Sequence, residues 1–96
     1  MRSGPLTVTL AATRSGNNVN ATVTLSCPAQ TGDNVAIRYR EQRNTGVFTD
    51  GPITTICAGT ITASPSVAVA TTNPVAVVTR LICGDGSQFD SAAVVV

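Results

Sequence analysis

The chain has 96 residues, 43% of them hydrophobic and 11% charged, with a net charge of +1. That length supports one domain with its own core, and the near-balanced charge gives no strong field to favour nucleic acid or an anionic membrane. Histidine is absent, which removes most hydrolase, transferase and zinc-site designs at once.

The first strand is expected over Leu6 to Ala12, with Leu6, Val8, Leu10 and Ala12 on one face and Thr7 and Thr9 on the other. Arg14-Ser15-Gly16-Asn17-Asn18 reads as a turn cluster. Val19 to Cys27 is the cleanest strand, because every odd position is apolar and every even one is polar. Pro28 stops it, and Thr31-Gly32-Asp33-Asn34 is the next turn. A third strand runs from Val35 to about Gln42, facing Val35, Ile37 and Tyr39 inward and Arg38, Arg40 and Gln42 outward. Asn44-Thr45-Gly46 then leads into a short edge piece at Val47 to Thr49, and Asp50-Gly51-Pro52 turns the chain again.

Ile53 to Ala63 reads as one strand with a bulge at Gly59, followed by Val67 to Thr71 beyond Ser64-Pro65-Ser66. Val75 to Cys83 is apolar on both faces and is expected to be central. Gly84-Asp85-Gly86-Ser87 is the tightest turn signal, and Phe89 to Val96 is the last strand. No helical window emerges, since a 3.6-residue apolar period is missing and β-branched residues dominate. Residues 6–96 are therefore expected to form a single all-β domain of seven to eight antiparallel strands, with residues 1–5 as an N-terminal arm.

Cys27 ends the second strand on its inward face, and Cys83 ends the penultimate strand in register with Val75, Val77, Thr79 and Leu81. Two inward cysteines on those strands resemble the bridge between the sheets of an immunoglobulin-like sandwich. The resemblance implies that fold and a Cys27–Cys83 disulfide, worth roughly 4 kcal/mol on the chain-entropy model. The strand-C tryptophan of antibody domains is absent, and Leu81 stands where their corner tyrosine is expected. A second resemblance competes: Cys27-Pro28-Ala29 and Cys57-Ala58-Gly59-Thr60 are similar to segments of small secreted actinobacterial sandwiches, which implies Cys27–Cys57 instead. Sequence alone does not choose among these pairings and three free thiols.

No residue is assigned a catalytic, cofactor-binding or metal-binding role. The carboxylates Asp33, Asp50 and Asp85 lie in expected turns, where aspartate serves backbone hydrogen bonding, and Asp85 with Asp90 matches no known calcium loop. The candidate contact residues are Arg38, Arg40 and Arg43 on the outer face of the third strand, which suit an acidic partner. The apolar terminus Val94, Val95 and Val96 is a candidate for strand addition.

The expected function is thus a non-catalytic interaction module. Its partners are protein, in the form of capsid or surface-assembly subunits or further copies of itself. No nucleic acid, membrane insertion or cofactor is expected. Arginine without lysine, with much Ala, Gly, Val and Thr, is what a GC-rich genome encodes. With a Met1 start, no apolar export segment and a weakly charged surface rich in threonine, this gives the expectation of a capsid decoration protein on the virion surface of a bacteriophage. The alternative is an extracellular or cell-surface adhesion or ligand-binding domain.

Overall fold

Gly16 closes the first hairpin. It stands at the first central position of a two-residue turn with φ +59°, the position and sign that a II′-type hairpin turn requires. That turn lets β1 (Val8–Ser15) and β2 (Asn18–Leu25) pair over their whole length, from Val8 opposite Leu25 to Ser15 opposite Asn18. The first strand therefore does not stop at Ala12. Arg14 and Ser15, expected in the turn, are ladder residues.

The computed structural model describes residues 6–43 and 46–96; the expected arm at residues 1–5 and the turn residues Asn44 and Thr45 lie outside them. The remaining strands are β3 (Asn34–Glu41), β4 (Thr49–Thr55), β5 (Thr62–Ala63), β6 (Ser66–Ala68), β7 (Val75–Ile82), β8 (Gln88–Asp90) and β9 (Val94–Val95). They form two antiparallel sheets, and the expected β-sandwich is what the chain adopts. In the four-stranded sheet, β5 and β6 share the far side of β2. Pro65 separates them. It has no amide to donate, but its carbonyl accepts from the Ala21 amide at 2.9 Å.

In the five-stranded sheet the order is β4-β3-β7, with β8 and β9 sharing the far side of β7. The central position expected for Val75 to Cys83 is realised as β7. Three expectations need correction. Asp50-Gly51-Pro52 is not a turn: it lies within β4, where the register against β3 shifts between Ala36 and Arg38. Pro52 is tolerated there because β4 is an edge strand, and Gly51 lies so close to β3 that a Cβ would sit 2.7 Å from the Ile37 carbonyl.

Ile53 to Ala63 is not one strand either. Residues 56–61 cross from one sheet to the other, and Gly59 lies in the turn of that crossing, not in a bulge. Finally, the last strand is broken at Ser91. Its amide donates to the Thr79 carbonyl (2.9 Å), while its hydroxyl oxygen accepts from the Thr79 amide (3.1 Å) and donates to Ala92 (3.0 Å). A polar side chain replaces the backbone there, so β8 and β9 are separate pieces on the same neighbour.

The core lies between the sheets. Val19 and Val23 from one sheet meet Val35, Ile37, Val75, Val77 and Leu81 from the other, all without exposed surface. Thr79 is buried among them because Ser91 satisfies its hydroxyl at 3.1 Å.

One end of the sandwich is tied by Asp33. This buried carboxylate accepts from the Gln30 amide at 2.9 Å and the Gly84 amide at 3.4 Å, and the Asp33 carbonyl accepts from Ile56 at 3.4 Å. Three loops meet there: residues 26–33, 56–61 and 83–87.

Candidate interaction face

The two outer faces differ in chemistry. On the four-stranded sheet, alternation turns Thr9, Thr13, Asn20, Thr22 and Thr24 to solvent, and no charged side chain stands among them. On the five-stranded sheet, the residues between the core positions are Ala36, Arg38 and Arg40 on β3 and Ala76, Val78, Arg80 and Ile82 on β7. Ile53 of β4 stands opposite Ala36 and is 64% exposed.

Arg38 and Arg40 emerge on this face because β3 alternates strictly about Val35, Ile37 and Tyr39. Arg38 donates from Nε to Asp50 Oδ1 at 2.9 Å. Arg40 lies over the Phe48 ring, 4.8 Å from its centroid, and donates from Nη1 to the Gly46 carbonyl at 2.9 Å. Its Nε is buried without a partner among the described residues. Arg43 does not join this face. It pairs with Glu41 at 2.7 Å beyond the end of β3, and that hydrogen bond, aided by one from Thr71, holds the Glu41 carboxyl below the usual range.

Two members of the face escape a sequence reading. Arg80 binds Asp90 through Nε at 2.6 Å and Nη2 at 3.3 Å. The Arg80 hydrogen bond holds the Asp90 carboxyl below the usual aspartate value, with the Arg80 and Arg38 charges adding to it against a desolvation penalty. In sequence, Arg80 is a polar interruption in an apolar run. Only the pairing of β3 with β7, which puts Arg80 opposite Ala36, brings it beside Arg38.

Around these arginines run two shallow grooves. One of about 320 Å³ is lined by Ala36, Arg38, Asp50, Ile53, Arg80 and Ile82. The other, about 250 Å³, is lined by Arg38, Phe48, Val78, Arg80 and Asp90. A larger cleft of about 500 Å³ includes Tyr39, Arg40, Glu41 and Thr71 in its walls, but its one carboxylate is already engaged by Arg43.

The C-terminal residues occupy the sheet. Val94 faces inward opposite Val77, Val95 faces outward at 49% exposure, and Val96 exchanges both backbone hydrogen bonds with Val75 at 2.9 Å. Their β7-side edge is consumed internally. Arg14 fastens them further, donating from Nη1 to the carbonyls of Asn73 (2.7 Å) and Val96 (3.3 Å) and from Nη2 to Thr71.

Neither expected disulfide is formed: Cys27, Cys57 and Cys83 are free thiols. Cys27 and Cys83 both lie past the ends of their strands, β2 and β7, where the ladders give way to loops, and not at facing mid-strand positions. Cys57 is exposed on the crossing between the sheets. Among the described residues, no group of three or more Cys, Asp or Glu side chains is placed to hold a metal ion. Comparison of the chain with protein-family models, curated proteins and solved structures gives no match.

Proposed function

We propose that this chain is a non-catalytic protein-interaction module of immunoglobulin-like architecture, docking through the outer face of its five-stranded sheet. The observation that carries the reading is the asymmetry of the two faces. One carries small uncharged side chains, mostly threonine and asparagine with Ala11 and Ala68 among them; the other sets the exposed Ile53 beside Ala36, Val78 and Ile82, with arginine as its cation. Arginine set among apolar side chains is favoured at interface centres, and the exposed isoleucine extends that apolar patch.

Strand order supports the architecture. With β1, β2, β3 and β4 lettered A, B, C and C′, β5 and β6 as a divided E, β7 as F, and β8 and β9 as a divided G, the sheets are ABE and GFCC′. That order is consistent with an immunoglobulin-like sandwich lacking strand D. The setting we propose is a repeated protein assembly, the virion surface of a phage. Cys27, Cys57 and Cys83 are unbridged in the structure, and three thiols in the native protein would suit a chain folded in a reducing cell better than a secreted adhesion domain.

The test compares Ile53→Asp with Thr22→Asp on the opposite face, scoring occupancy on assemblies from the natural source. Ile53→Asp should lower occupancy by about tenfold or more, as loss of an interface anchor does, while Thr22→Asp leaves it unchanged. Equal occupancy of both variants would remove the face from the proposal, and the reverse order would assign docking to the other sheet.

A further inference from the structure

We infer that the partner presents a carboxylate side chain, carried on an extended apolar segment, to the guanidinium ends of Arg38 and Arg80. This rests on the reading of the five-stranded sheet as the docking face and names what that face takes.

Arg38 makes a single hydrogen bond, from Nε to Asp50, and neither of its Nη groups has a hydrogen-bond partner among the described residues. Its side chain is only 27% exposed, so the stem is already packed and the terminal fork is held at little further entropic cost. Asp50 is 83% exposed, and a pair so open to water restrains the arginine weakly. Arg80 spends Nε and Nη2 on Asp90 and keeps Nη1 without a partner among the described residues. Two arginines on adjacent strands thus carry unfilled donors, and both line both grooves. They form the ridge between an aliphatic groove at Ile53 and Ile82 and a second one at Phe48 and Val78.

Charge order selects the occupant. Across β4, β3, β7 and β8 the face reads Asp50, Arg38, Arg80, Asp90: acid, base, base, acid. A second copy stacked strand for strand on this face, without a lateral shift, would repeat that order and set base against base. A cationic segment meets the same repulsion at the centre, and a neutral one leaves the forks unfilled. A carboxylate matches the fork geometry, and apolar neighbours on its own segment would fill the grooves on either side.

The experiment titrates two short capped threonine–valine peptides, one with a central glutamate and one with glutamine in its place, into isotope-labelled protein. The nuclear magnetic resonance signals followed are the Nε–H groups of Arg38 and Arg80 and the Ile53 methyls. The glutamate peptide should shift them saturably and bind about tenfold more tightly than the glutamine peptide. Arg38→Lys, which keeps the charge and loses the fork, should shrink that difference, while Arg43→Gln should leave it intact. Equal binding of the two peptides, absence of a saturable shift with either, or full discrimination by Arg38→Lys would overturn the inference. If Ile53→Asp nevertheless abolishes docking on natural assemblies, the face stands and the acidic partner falls. If Ile53→Asp docks normally, the face itself falls.

Discussion

At Asp33 a single carboxylate joins two loops. Its residue type and position suggest an ordinary turn aspartate, yet it is almost wholly buried and gathers the amides of Gln30 and Gly84 onto one carboxylate. Removing it strips both part-buried amides of their acceptor, which costs about 0.5–1.5 kcal/mol for each. Asp33→Ala should therefore lower the urea midpoint substantially without a change in slope, and loosen the loops at residues 26–33 and 83–87 together. A midpoint within error of the parent would show that water replaces the carboxylate. The same distinction between type and place applies to the arginines. Arg38, Arg40 and Arg43 look alike in sequence, but one has an open fork, one lies on Phe48, and one is bound to Glu41.

At the scale of elements, the terminal strand β9 depends on partners far away in the chain. Two residues make a poor strand alone, and Val94–Val95 is held by β7, by the Val96–Val75 backbone pair and by Arg14 from β1. Arg14→Ala should leave the β1–β2 hairpin intact while the Val96 amide exchanges with solvent at least about tenfold faster, read by hydrogen exchange. Unchanged protection at Val96 would mean that the ladder suffices without the arginine. The neighbouring break at Ser91 follows the same logic. Strand alternation across Phe89 to Val96 is legible, but the substitution of a serine hydroxyl for a backbone acceptor is not, because it depends on Thr79 lying opposite.

For the molecule as a whole, the three cysteine-bearing segments converge on the end that Asp33 ties, and all three thiols are free. Alkylation of denatured, unreduced protein from its natural source should modify three cysteines per chain, counted by mass spectrometry. A count of one would mean a bridge formed in the cell and would favour the secreted adhesion alternative over the virion setting. Whole-molecule topology also decides which surface is distinctive. Placing β3 beside β7 juxtaposes Arg38, Arg80 and the Ile53–Ile82 groove, whereas pairing β1 with β2 produces an uncharged face of threonine and asparagine with Ala11 among them.

The alternation of apolar and polar side chains, by itself, determined that this chain is all-β. It also assigned the inward and outward residues of β2 and β3, because side-chain direction along a strand has a period of two and needs no knowledge of neighbours, while the apolar residues on both faces of β7 marked that strand as central. The same local rule put Arg38 and Arg40 on an outer face. Tertiary structure alone decided where β1 ends, that residues 56–61 cross between the sheets, that Asp50-Gly51-Pro52 lies in an edge strand, and that Arg80 and Asp90 complete the face. Those outcomes depend on which strands pair and in what register. Such pairings join residues distant in the chain, and no local pattern in either strand encodes its partner.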